Sequence, residues 1–155
     1  MSFMSMTIRR FCPSFSVLLC TFMLAGYAEA GVEISDAWIA EAPPNVSAQA
    51  GYLTLKNDTA RPVSLTGVAS DAFKSVQIHH TQHDAAMGMM KMSHAKAVEI
   101  PAESTLQFKP GGYHLMLMRP KSTLKAGDQV EMNLTFADGT ESKVTFTVRR
   151  NKFTL

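Results

Sequence analysis

Apolar and polar residues alternate with a period of two along most of this chain, in short runs separated by turn-forming residues. Val32 to Ala40, Gly51 to Lys56, Val63 to Val68, Ser75 to His79 and Ala97 to Ile100 read as half-buried strands. So do Leu106 to Lys109, Tyr113 to Met118, Val130 to Phe136 and Val144 to Arg149. Between them lie Pro43-Pro44-Asn45, Asn57-Asp58, Pro110-Gly111-Gly112 and Ala137-Asp138-Gly139, all turn chemistry. Asp138-Gly139, set between Leu134-Thr135-Phe136 and Val144-Thr145-Phe146, predicts a hairpin. No segment keeps a 3.6-residue apolar period, and only a short helical turn is expected, near Ser70-Asp71-Ala72-Phe73. Residues 80–90 break the β pattern with small and polar side chains and predict a surface loop. The expected architecture is all-β, a Greek-key β-sandwich or barrel.

The first thirty residues stand apart. Arg9 and Arg10 precede a mostly apolar run from Phe11 to Gly26, and Tyr27-Ala28-Glu29-Ala30 supplies an A-x-A cleavage site. The run is shorter than the roughly twenty residues a spanning helix needs. Residues 1–30 therefore read as a cleaved secretory signal, giving a periplasmic protein without stable membrane insertion. Cys20 follows Leu18-Leu19, whereas a lipidated cysteine normally follows a small residue, so a lipoprotein signal is not the reading preferred. Both cysteines, Cys12 and Cys20, fall inside this segment. The mature chain then has no disulfide, no thiolate ligand and no blue-copper centre.

Residues 31–155 are long enough for one domain with a core of its own. Without Arg9, Arg10 and Glu29, the chain's 15 basic and 13 acidic residues become 13 and 12, a net charge of +1. There is no basic stripe for nucleic acid and no acidic tail.

Candidate chemistry is concentrated in one stretch. All 5 histidines lie between residues 79 and 114, and 6 of the 11 methionines lie between 87 and 118. Imidazole and thioether are neutral donors, and together they suit a soft ion of low charge, Cu(I). In Tyr113-His114-Leu115-Met116-Leu117-Met118, alternation puts Tyr113, Leu115 and Leu117 on the core face. His114, Met116 and Met118 share the other face, although Met118 would serve equally to cover the barrel end. In Val76-Gln77-Ile78-His79 the same logic turns His79 outward. His80, His83, Met87, Met89 and His94 read either as accessory ligands or as solvated loop residues. Met132 alternates in phase with Val130 and Leu134 and reads as core packing.

These residues resemble the PCuAC-type periplasmic copper chaperones. That family's pattern is a histidine, ten residues, a methionine, twenty-one residues and His-x-Met, and here Met92, His114 and Met116 match its second part in full. Val98-Glu99-Ile100-Pro101-Ala102, Pro110-Gly111-Gly112-Tyr113, Asp36-Ala37-Trp38 and Gly51-Tyr52-Leu53-Thr54-Leu55-Lys56-Asn57 are also family-like, so the resemblance spans nearly all of residues 31–155. One departure is that twelve residues, not ten, separate His79 from Met92. The strand text keeps His79 as the ligand and places a two-residue insertion in the loop. His80 would point to the opposite face.

The resemblance implies a cupredoxin-like fold and a Cu(I) site made of His79, Met92, His114 and Met116. It also implies delivery of copper to the CuA centre of cytochrome c oxidase subunit II, often alongside Sco-type proteins. Some members hold Cu(II) on a His/Met-rich C-terminal tail. This sequence ends Arg149-Arg150-Asn151-Lys152-Phe153-Thr154-Leu155 without such residues, and a second site is left to His80, His83, Met87, Met89 and Met90. A copper-buffering or resistance protein would use the same ligands. A copper oxidase is disfavoured, because Asp84 and Glu99, the carboxylates nearest the cluster, are not paired, and no enzymatic activity is expected. A purely structural sandwich remains the third alternative.

Overall fold

A computed structural model describes residues 31–43, 46–84 and 88–150. The signal segment, Met87 and residues 151–155 lie outside them. The described residues contain ten strands and no helix: β1 Val32–Ala40, β2 Ala48–Asn57, β3 Val63–Ala69, β4 Phe73–Asp84 and β5 Met89–His94, followed by β6 Val98–Ile100, β7 Ser104–Gln107, β8 Tyr113–Pro120, β9 Gln129–Phe136 and β10 Glu141–Arg149.

The hydrogen-bonded order is β5-β4-β8-β2-β1-β10-β9-β3-β6, with β7 also paired to β2. Only β1 and β10 run parallel; the other pairs are antiparallel. β2 is shared lengthwise, its first half pairing with β8 and its second with β7. β6 pairs with β3 at the far end of the order, yet only residues 101–103 separate it from β7. The sheet must therefore curl until its β6 end stands beside β2 and β7, and these strands do touch. Strands distant in sequence become neighbours around one core, as the Greek-key reading required.

The core is what the alternation predicted. Leu53, Leu55, Leu65, Ile78, Leu115, Leu117, Val130, Met132, Leu134, Phe146 and Val148 are buried, and Met132 is packing as expected. The Asp138-Gly139 hairpin joins β9 to β10, with Gly139 at φ +86°, a conformation open to glycine at little cost.

The short turn expected near Ser70 is present as a single hydrogen-bonded turn, Phe73 N–H to Ser70 O at 3.4 Å. One expectation needs correction. The loop expected over residues 80–90 is instead the continuation of β4 to Asp84 and the start of β5 at Met89, a two-stranded extension of the sheet. The alternation signal failed there because β5 is an edge strand exposed along its whole length. With no core face to fill, no apolar period was imposed on it.

One buried polar residue ties the closure together. Asn57, at the end of β2, is fully buried. Its Nδ2 donates to the carbonyls of Arg61 (2.8 Å), Ile100 (3.1 Å) and Pro101 (3.0 Å). Its Oδ1 accepts from Thr59 N–H (3.0 Å) and the Thr59 hydroxyl (2.7 Å). An amide so completely partnered is stabilising, while its removal strands several acceptors away from water. Asn57→Ala is expected to lower folding stability by about 3 kcal/mol in urea denaturation. A loss below about 0.5 kcal/mol would mean that the closure does not depend on this side chain.

Candidate metal centre

β4 and β8 are the strands that aim the donors. Ile78, Leu115 and Leu117 are buried, so the residues between them must point away from the core. Beside β8 in the sheet, β2 approaches closely at Gly51, the partner of Leu115, where a Cβ would sit 3.3 Å from Leu115 Cβ. Backbone bonds from Ala95 N–H to Ile78 O (2.8 Å) and Thr81 N–H to Gly112 O (3.1 Å) tie both flanks of β4 beside His79.

The register then places a row of three imidazoles. His79 of β4 stands opposite His114 of β8 on one side and opposite His94 of β5 on the other. The His79 ring centroid is 5.8 Å from each, with both pairs in edge-on geometry. Met116 stands opposite Gln77, and is therefore a diagonal neighbour of His79. Met92 stands opposite Thr81, the diagonal neighbour of His79 on the other flank. His79, His114 and Met116 thus occupy adjacent strands of one face, whereas Met92 lies on the other flank of β4 and is displaced along it away from Met116, so the register does not bring the two thioethers together.

The hydrogen bonds define which nitrogens are free. His114 Nδ1 lies 3.1 Å from Gly112 O, and a carbonyl only accepts, so Nδ1 carries the proton. Its Nε2 is left with the lone pair a metal requires. His79 Nε2 lies 3.0 Å from Gln77 Oε1, which puts the proton on Nε2 and the lone pair on Nδ1. A flip of the Gln77 amide would exchange these roles. As the side chains stand, His79 Nδ1 is buried with no hydrogen-bond partner. An orphaned ring nitrogen beside two further imidazoles fits a metal ligand.

Charge on this face is low. Ser75, Gln77, His79, Thr81 and His83 of β4, Met90, Met92 and His94 of β5, and His114, Met116 and Met118 of β8 include no carboxylate. Among the described residues, no group of three or more His, Cys, Asp or Glu side chains is gathered to hold a metal ion. A site on this face therefore needs the thioethers, which selects a soft ion over a hard, oxygen-seeking one. Exposure is graded across it: His114 is 6% exposed, Met116 and His79 are half-buried, and Met92 is 52% exposed.

His80 is absent from this face, as alternation predicted. Its ring stacks on Tyr113 on the inward side, with centroids 4.0 Å apart and planes 11° from parallel. Met89 stands opposite Asp84, also turned from the donor face, whereas His83 stands opposite Met90 on it. His94 gains most from the structure. Read as an accessory ligand or a loop residue, it is a strand residue directly beside His79. Its signal in the sequence was the Met92-x-His94 spacing, which mirrors His114-x-Met116.

The family described as "Putative lipoprotein LpqE-like" matches residues 32–148. A protein of Leifsonia xyli subsp. xyli (strain CTCB07), described as a "Putative lipoprotein", is 38% identical over 120 residues, covering 77% of this chain and 70% of that protein. The copper-bound PCuAC domain from PmoF2 is 27% identical with a TM-score of 0.65, covering 81% of this chain and 97% of the domain. The solution structure of CuI-DR1885 from Deinococcus radiodurans is 35% identical with a TM-score of 0.63, covering 81% of this chain and 83% of that one. The fold is all-β and cupredoxin-like, as the resemblance implied.

Burial holds the pKa of His79 below the ordinary histidine value, and repulsion from His114 and then His94 acts in the same direction. The neutral, ligating form is thus favoured. Because the folded chain binds this proton less readily than the unfolded chain, the contribution to stability is present above the ordinary value. It is lost as pH falls through the lowered one. An NMR titration of the metal-free protein should show the His79 ring protonating below pH 6.5, the ordinary value. A midpoint at or above that value would contradict the burial described.

Proposed function

This chain belongs to the LpqE-like family of PCuAC-type copper chaperones, and from that premise we propose that it carries Cu(I) on the outward face of β4, β5 and β8. The ligands are His79, His114 and Met116 together with Met92, which the register sets apart from Met116 and which must move toward β8 when the ion binds; the ion is cargo rather than a resident cofactor. The observation that carries this reading is the uncharged row itself. Imidazole and thioether donors from three neighbouring strands share one face on which the outward positions hold no carboxylate. Relatives support it: a Cu(I) form of DR1885 and a copper-bound PmoF2 domain are solved at 35% and 27% identity.

The chemistry suits delivery. Thioethers carry no proton near neutral pH and, unlike thiols, cannot be lost to disulfides in an oxidising compartment. Sulfur favours Cu(I) over Cu(II), and a site free of planar constraint does the same. The buried His114 and half-buried Met116 retain the ion, while the exposed Met92 can leave first and admit an acceptor's donor. Stepwise exchange of this kind hands the ion to the CuA centre of cytochrome c oxidase subunit II or to a Sco-type protein. The protein acts in the periplasm, exported by residues 1–30 and cleaved after Ala30. It performs no catalysis.

A second ligand set is favoured by one specific observation, the position of His94 directly opposite His79. In that set His94 replaces Met92. The two are separable, because Met92→Leu should weaken Cu(I) binding at least 10-fold if the thioether ligates, whereas His94→Ala should do so if the imidazole does.

His114→Ala and Met116→Leu are each expected to weaken Cu(I) binding by 100-fold or more in competition with a Cu(I) chelator, roughly 2.7 kcal/mol. The cooperative unfolding transition should persist. Unchanged affinity in both variants would remove β8 from the site. The mass of the exported protein tests the other half of the reading: a chain beginning at Gly31 supports it, and a lipidated Cys20 overturns it.

A further inference from the structure

The donor face does not end at the His79 row. β4 and β5 extend beyond it, and their register sets Thr81 opposite Met92 and then His83 opposite Met90. Side chains two apart on a strand share a face, so His83, Met90 and Met92 lie on the same side as His79 and His94. Residues directly opposite in an antiparallel pair have Cβ atoms about 5 Å apart, close enough for an imidazole and a thioether to meet one ion.

Met90 is 58% exposed and Met92 52%, on an edge strand with no core beneath it. A methionine placed for packing would be covered. His83 is also exposed, and Met89, next to Met90 on β5, alternates to the other face. The donors here are again neutral nitrogen and sulfur, with the Thr81 hydroxyl between His83 and His79.

Distance separates this group from the central one. The His83 and His79 positions are four residue steps apart, or about 13 Å along β4. One ion cannot touch both. Met92, set midway, is the diagonal neighbour of His83 on one side and of His79 on the other.

We propose that the end of the β4–β5 hairpin is a second Cu(I) position, made by His83 and Met90, with Met92 as the donor it shares with the central site. An ion taken up at the exposed tip reaches the central row by exchanging one donor at a time through Met92. The proposal rests on Cu(I) being the cargo and extends the site from one ion to two.

The test is an anaerobic Cu(I) titration of the protein, followed by chelator competition and by NMR of the methionine methyl groups. Ag(I) serves as a redox-inert repeat. Two equivalents should bind, the second at least 10-fold more weakly. The Met116 signal should move with the first, and the Met90 signal only with the second. The double substitution His83→Ala with Met90→Leu should abolish the second equivalent and leave the first unchanged. A single equivalent in the unaltered protein, or a Met90 signal that never moves, overturns the proposal. So does a second equivalent that survives the double substitution. If His114→Ala abolishes the first equivalent while Met90 still responds to metal, the hairpin position stands on its own. If His114→Ala and Met116→Leu leave the first equivalent intact and the second behaves as described, the central ligand assignment fails and this one holds.

Discussion

The period-two alternation of a strand with one buried face governs this molecule. Ile78 on β4 and Leu115 and Leu117 on β8 must fill the core, so His79, His114 and Met116 have only one direction left. Nothing about the donors themselves selects that arrangement. It follows from the apolar residues between them, and the antiparallel register then sets His79 against His114. A slip of one residue between these strands would send an imidazole into the hydrocarbon interior. The packing that stabilises the fold is thus the same packing that positions the donors.

Second to this is how the sheet closes. β2 borders β8 along one half and β7 along the other, and Asn57 stands where the second half ends. Its amide satisfies carbonyls from both the 58–61 turn and the β6–β7 connection, which ordinary ladder bonding does not reach. Closure leaves β5 as an edge. That edge is protected from pairing with other chains by little more than Lys91 and its short length, a common device at sheet margins.

Most of the architecture was legible because most strands have a wet side and a dry side. The positions of Leu115, Leu117, Ile78 and Met132, the hairpin at Asp138-Gly139, and the opposite orientations of His79 and His80 all follow from alternation alone. What could not be read was β5, since a strand exposed on both faces leaves no apolar rhythm. The same blind spot hid the partner of His79: with residues 80–90 taken as a loop, His94 had no register. The burial of His114 was also invisible, because outward orientation says nothing about what neighbouring side chains cover. The tautomer of its ring was equally hidden, since Gly112 O comes within reach only once the chain turns into β8.

The gradient of exposure from Met116 to Met89 has a consequence in redox chemistry. Oxidation of a thioether to the sulfoxide substitutes a polar group for the soft sulfur lone pair and follows access to solvent. Met89, Met90 and Met92, at 64%, 58% and 52% exposure, stand first in line for oxidants, and the half-buried Met116 stands behind them. Under oxidative stress the outer thioethers are consumed before the inner one, so capture and release of a soft ion would fail while the innermost donors remain chemically intact.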